Sequence, residues 1–302
     1  MRAFVTGGSG FVGGFLARHL ADCGDEVEVL APEVDVRDRA GVAAALTAAA
    51  PEVVYHLAAL THVGRSWEAP EATFSVNALG TLSVLEAAWR LGAPPSVVLV
   101  SSAEVYGSGD GAPLLETSPL VPVSPYAASK VAAEFLGVQA FVGRGLRVVR
   151  ARPFNHVGPG QSDAFVVSAL ARRVAEAELA GGGVVRVGNL SPRRDFADVR
   201  DVVRAYRLLA DRGAAGEAYN VCRGEALAIS EVLDRLVALA RRPIEVTYDP
   251  SLARPVDVPV LVGDPTRLIE LTGWAPATDL DRTLADVLDH WRSAVTAGVG
   301  GT

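Results

Sequence analysis

Thr6-Gly7-Gly8-Ser9-Gly10-Phe11-Val12-Gly13 follows the apolar run Ala3-Phe4-Val5 and precedes a helical stretch over Phe15 to Ala21. Glycines at 7, 10 and 13 permit a tight turn, close backbone approach to a pyrophosphate, and close packing of helix on strand. The helix N-terminus then offers unpaired N–H groups to an anion. A glycine triplet alone also fits a plain turn. Between an apolar strand and a helix it reads as a dinucleotide-binding loop, with Gly7, Gly10, Phe11, Val12 and Gly13 as candidate cofactor contacts.

Working outward, β-type runs alternate with helices. Strands are expected at Val27–Leu30, Val34–Val36, Val53–Leu57, Val97–Val100 and Leu146–Ala151. Helices are expected at Ala40–Ala50, about Phe74–Leu91 and Pro125–Val142. Apolar strands separated by helices predict an α/β fold: a Rossmann-type, doubly wound parallel sheet covered on both faces. After Arg152 the rhythm changes to a helix over Ala164–Ala180, short strands at Val184–Val187 and Tyr219–Val221, and helices over Glu231–Ala240 and Arg282–Thr296. The expected division is therefore a dinucleotide-binding domain over 1–152. Residues 153–302 form a smaller α+β substrate lobe, partly interleaved with the core.

Composition narrows the field. The chain has 302 residues and a net charge of −7, which argues against a general nucleic-acid binder. Charged residues interrupt every apolar run before it reaches membrane-span length. No signal peptide is read ahead of the glycine loop, and two cysteines, Cys23 and Cys222, make no disulfide framework. A cytoplasmic protein is expected. Neither His56 nor His62 has a metal-type partner set, so no metal is expected.

Of the 28 basic residues, 27 are arginine; the exception is Lys130. A bias that replaces lysine by arginine leaves a lysine where a compact ammonium is needed. Ser124-Pro125-Tyr126-Ala127-Ala128-Ser129-Lys130 places Tyr126 and Lys130 one helical turn apart on one face. A nearby ammonium stabilises a phenolate, so Lys130 is expected to lower the Tyr126 pKa and fit it for proton transfer. Ser101-Ser102-Ala103-Glu104 follows the strand Val97–Val100, at the end where such sheets bind ligands. Ser102 would hydrogen-bond a reacting carbonyl or cap a strand; Glu104 is either a second acid–base or a polar loop residue.

Together these residues resemble the extended short-chain dehydrogenase/reductase (NAD-dependent epimerase/dehydratase) family acting on nucleotide sugars. The loop Thr6–Gly13, Asp35, His56-Leu57-Ala58-Ala59, Asn77 with Gly80-Thr81, Ser101-Ser102 and the Tyr126/Lys130 pair carry the likeness over essentially the whole chain. It implies that Asp35, Val36, Leu57, Ala58, Ala59, Asn77, Tyr126, Lys130 and Pro153 contact NAD or NADP. It implies that Ser102, Glu104, Tyr126 and Lys130 are catalytic.

Arg152 to Gln161, Val187 to Leu190 with Arg194-Asp195-Phe196, and Arg254-Pro255-Val256-Asp257 leading to Gly263-Asp264 are similar to the GDP-mannose branch. By that likeness Asn155, Arg194 and Arg254 hold a diphosphate and Asp257 a ribose, beside Ser102 on the sugar. The branch holds 4,6-dehydratases and shorter reductases of 4-keto-6-deoxy sugars. Length, Gly158-Pro159-Gly160-Gln161 and Tyr219-Asn220-Val221-Cys222 favour NAD(P)H-dependent reduction of GDP-4-keto-6-deoxy-D-mannose to GDP-D-rhamnose. Glu104 keeps dehydration open, with 4-epimerisation and a non-catalytic dinucleotide sensor as further alternatives. Ala31-Pro32-Glu33 carries neither the acid typical of NAD nor the arginine typical of NADP, although Arg37 and Arg39 follow. The family also implies a homodimer through a four-helix interface made by the Phe74–Leu91 and Pro125–Val142 helices.

Overall fold

The computed structural model describes residues 1–109, 111–252 and 258–298. In chain order come β1 (Arg2–Thr6), α1 (Phe11–Asp22), β2 (Glu26–Val29), α2 (Arg39–Ala49) and β3 (Val53–His56). Next are α3 (Val63–Glu68), α4 (Pro70–Phe74), a π-turn (Ser75–Leu79), α5 (Gly80–Trp89), β4 (Ser96–Val100), a 3₁₀ turn (Ala103–Tyr106), α6 (Pro125–Arg144) and β5 (Val148–Pro153). The second half holds β6 (Asn155–Val157), α7 (Val166–Leu179), β7 (Gly183–Val187), β8 (Arg193–Asp198), α8 (Val199–Arg212) and β9 (Ala218–Val221). It ends with β10 (Ala226–Ala228), α9 (Ile229–Ala238), β11 (Ile244–Tyr248), β12 (Val260–Leu261), α10 (Thr266–Thr272) and α11 (Leu280–Thr296).

Six parallel strands form the main sheet in the order β2-β1-β3-β4-β5-β9. Their side chains alternate between two apolar layers, as a sheet buried on both faces requires. Ala3, Val5, Tyr55 and Val98 pack with Leu16 and Leu20 of α1 and Tyr206 and Leu209 of α8. Phe4, Val54, Val97 and Leu99 face Val42 and Leu46 of α2 and Val84 and Leu85 of α5. The expected doubly wound α/β fold is therefore present.

The second lobe has its own core, made by α7, α9 and α11 around Val185, Val187 and Phe196. Its small sheet runs β10-β8-β12, with β6 also paired to β8, while β7 pairs with β11.

Differences from the sequence reading have local causes. Val34–Val36 is a turn, and Val36 is buried so close to Gly80 that a Cβ on that glycine would lie 2.7 Å from it. The single helix expected over Phe74–Leu91 is divided by the π-turn. α8 was not anticipated, because Arg200, Arg204 and Arg207 interrupt its apolar residues. Yet Val199, Val202, Val203, Tyr206 and Leu209 form one buried stripe behind the Asp198 cap. Both α8 and β9 lie beyond Arg152, and both belong to the main sheet's layers.

Candidate functional site

β1 pairs with β2 on one side and β3 on the other, so the direction of winding reverses between β1 and β3. Ligands of open α/β sheets sit at the carboxyl ends of strands beside such a switch point. A cavity of ≈ 820 Å³ opens there and is roofed by the second lobe. Gly7, Gly10, Phe11, Val12, Gly13, Leu57, Ala58 and Ala59 line it on the sheet side.

The loop is shaped for a phosphate. Gly7 has φ +74°, and a Cβ there would lie 2.7 Å from the Ala58 nitrogen. A Cβ on Gly13 would lie 2.1 Å from the Gly7 carbonyl oxygen. The N-cap of α1 is Gly10, with no side chain covering the first N–H groups. A pyrophosphate can therefore approach backbone donors at a helix terminus directly. The neighbouring loop is held by His56, whose Nδ1 lies 2.7 Å from the Thr6 hydroxyl and whose Nε2 lies 3.0 Å from that of Thr81. Burial holds the imidazole at about 3, hence neutral.

α6 starts where Ser124 accepts the Ala127 N–H at 3.1 Å and Pro125 occupies the first turn. That entry points Tyr126 and Lys130 into the cavity, beside Ser102 and Glu104 at the end of β4. Ser102 accepts the Glu104 N–H at 3.2 Å and shares a hydrogen bond with the Tyr126 phenol. Lys130 donates to the Val100 carbonyl at 2.9 Å. Burial pushes Tyr126 up to about 12, the Ser102 bond opposes this, and the Glu104 charge adds to it. The expected lowering by Lys130 is corrected here: burial raises the phenol, and the ammonium is turned to the Val100 carbonyl. Lys130 itself is pulled down to about 8 by burial, against the pull of Glu134.

Pro153 and Asn155 line the cavity where β5 gives way to β6, and Arg194 lines it from β8. Arg194 is already placed by its bond to the Val258 carbonyl at 2.6 Å. Arg254 and Asp257 lie outside the described residues. Asp35, Val36 and Asn77 do not line the cavity. Asp35 is exposed and bound by the Arg37 guanidinium, which holds its carboxyl down at about 2. Asn77 is buried and committed to the Leu60 N–H at 2.8 Å, the Leu60 carbonyl at 3.0 Å and Ser129 Oγ at 2.9 Å. It therefore ties the loop after β3 to α6.

Among the lining residues not expected as site contacts are His62, His156, Phe165 and Arg173. His156 stacks on Phe11 with centroids 6.4 Å apart and planes at 7°. His62 and Phe165 face each other from opposite lobes at 6.4 Å. Only Arg173 had a readable signal, since Val166, Ala169 and Arg173 recur at helical spacing along α7.

Comparison with known proteins decides the lineage. The family model for GDP-mannose 4,6 dehydratase matches residues 31–287. The chain belongs to this family. The GDP-6-deoxy-D-mannose reductase of Pseudomonas aeruginosa is 37% identical over 299 residues, covering 97% of this chain and 98% of the relative. The solved structure of RMD from the same organism, complexed with NADPH, matches at TM-score 0.89 and 36% identity, covering 96% of this chain and 98% of that one. A Thermus thermophilus UDP-glucose 4-epimerase with NAD matches at TM-score 0.87 and 34% identity, covering 97% and 100%. Members of the GDP-mannose 4,6 dehydratase family are nicotinamide-dinucleotide enzymes of the Rossmann class, and the glycine cradle suits that cofactor. Among the described residues no helix is long and apolar enough to cross a membrane, and no three His, Cys, Asp or Glu residues cluster as a metal site.

Proposed function

We propose that this protein reduces the C4 keto group of GDP-4-keto-6-deoxy-D-mannose with NADH or NADPH, giving GDP-D-rhamnose. The carrying observation is the cluster of Tyr126, Ser102 and Lys130 in one cavity with the glycine cradle. When bound, the reduced nicotinamide supplies the hydride that arrives at C4. Tyr126 delivers the proton to the C4 oxygen; its high pKa keeps the phenol protonated through the neutral range, the form a reductase needs. Ser102 is fixed by accepting the Glu104 N–H, and its hydroxyl proton, shared with the Tyr126 phenol, turns to the C4 carbonyl and polarises it when the sugar is bound. Lys130 holds the nicotinamide ribose and places positive charge where negative charge develops. Asn155 and Arg194 hold the diphosphate, with Arg173 as a second cation on the same wall; by the family likeness Arg254 joins them on the diphosphate and Asp257 takes the ribose.

A second reading, dehydration, is favoured by one observation: Glu104 lines the cavity close enough to influence Tyr126. A dehydratase recycles its cofactor, whereas a reductase consumes it. Purified protein is mixed with the keto sugar and either reduced cofactor, and absorbance at the nicotinamide band is followed. Stoichiometric loss supports reduction; no loss, with keto sugar formed from GDP-mannose, transfers the assignment to the dehydratase.

A homodimer through α5 and α6 is part of the same proposal. Leu79 (56%), Phe135 (60%) and Val142 (75%) are large apolar side chains exposed on or beside these helices, and such patches mark association surfaces. Sedimentation should show a dimer that Phe135→Glu converts to monomer.

A further inference from the structure

The proposed chemistry needs Lys130 as an ammonium, yet the structure puts it in a place that opposes charge. Lys130 is 5% exposed, and among the described residues its hydrogen bond goes to a single backbone carbonyl. Groups around it add little negative charge. His56 of β3 is neutral, and Tyr126 on the same helix is protonated. From β5, Arg150 and Arg152 bring two further cations to the same face of α6.

One turn after Lys130, on that face, stands Glu134, fully buried. Its Oε1 accepts from Arg152 Nε at 2.8 Å, and its Oε2 accepts from Arg152 at 2.7 Å and from Arg150 at 3.0 Å. Arg152 is fixed in turn by donating to the Tyr106 hydroxyl and the Glu116 carbonyl, both at 2.9 Å, and Tyr106 donates to Asn220 Oδ1 at 2.7 Å. The carboxylate thus cannot swing away, and it stands as a fixed buried anion one helical turn from Lys130, where its charge favours the ammonium.

We propose that Glu134 is a positioning residue for the reaction: held in place by Arg152, it keeps Lys130 charged and pointed at the cleft. This rests on the roles assigned to Tyr126 and Lys130 above. A buried ion pair is a weak source of net stability, because desolvation offsets attraction. Its placement one turn behind Lys130 therefore has an electrostatic use that a purely structural pair does not need. Removing its charge takes away the anion that favours the Lys130 ammonium and leaves Arg150 and Arg152 without their buried partner. Lys130 then deprotonates more readily, and the alkaline limb of the pH–rate profile falls earlier.

The test uses the full-length protein with saturating NADPH and keto sugar. Glu134→Gln should move the alkaline limb of kcat down by about one pH unit, while activity on the acid side stays within a few-fold. Glu134→Asp, which keeps the charge, should return the limb most of the way. Arg150→Gln, which frees the Glu134 carboxylate of one of its two partner cations, should move it up. A uniform loss at every pH in Glu134→Gln overturns the proposal, as does a limb that stays in place. When Glu134→Gln does not fold, Arg150→Gln decides: an upward limb supports the proposal, and an unchanged or lowered one overturns it. Near-normal turnover in Lys130→Met and Tyr126→Phe sinks the underlying reading instead. Dead variants at those positions with an unmoved Glu134→Gln limb sink this proposal alone.

Discussion

On the sheet side of the cleft, Gly7, Gly10 and Gly13 come from one loop, and Tyr126 and Lys130 from one turn of α6. On the facing side, Asn155 comes from β6, Arg173 from α7 and Arg194 from β8. The first wall is fixed by local rules: a turn that only glycine enters, a serine cap, a helical spacing. The second exists only after distant pairing, with Asn155 beside Phe196 across β6 and β8, and Arg194 beside Leu261 across β8 and β12. A cofactor common to many enzymes suits the locally specified wall. A particular nucleotide sugar suits the wall whose composition changes whenever a lobe segment changes.

Three substitutions break or sharpen that contrast. Tyr126→Phe removes the proposed proton donor and should lower kcat by about 10²–10⁴-fold in a folded protein that still binds cofactor. Turnover near normal in a stopped assay would remove the chemistry from this wall. Gly13→Ala places a Cβ against the Gly7 carbonyl and must displace the loop. Cofactor affinity should fall by about 10²-fold, measured by nicotinamide fluorescence, with binding of GDP alone left intact. Arg194→Gln should do the reverse: raise the KM for the keto sugar by about 10-fold while kcat holds within a few-fold. An equal effect of Gly13→Ala and Arg194→Gln on both ligands would mean that the walls are not separate in function.

The same contrast explains what was legible from residues alone. The glycine loop, the Tyr126/Lys130 pair and the strands of the main sheet follow from short-range spacing, and the structure places them together. Arg173, His156 and Phe165 were not readable as a group, because no spacing links a helix, a short strand and a cap residue before they pack. Asn77 shows a different limit. Its motif marks an important position, yet the amide is committed to Leu60 and Ser129, and sequence spacing does not distinguish touching a ligand from holding the loop that does. α8 was hidden by its arginines although its apolar stripe is regular. Those arginines face outward to Asp198, Asp201 and Asp25, whose ion pairs need the folded chain.

The return of α8 and β9 to the main sheet bears on how such enzymes exchange parts. The polypeptide leaves the core after β5, comes back for α8 and β9, and leaves again for β10 and α9. A gene cut at Arg152 would carry off the strand that covers the β5 edge and the helix that covers one sheet face. The wall proposed to recognise the sugar is therefore not a cassette that one recombination event can move between relatives. New specificity has to come by substitution inside the interleaved segments, each change tested against a core that the same stretch of chain completes.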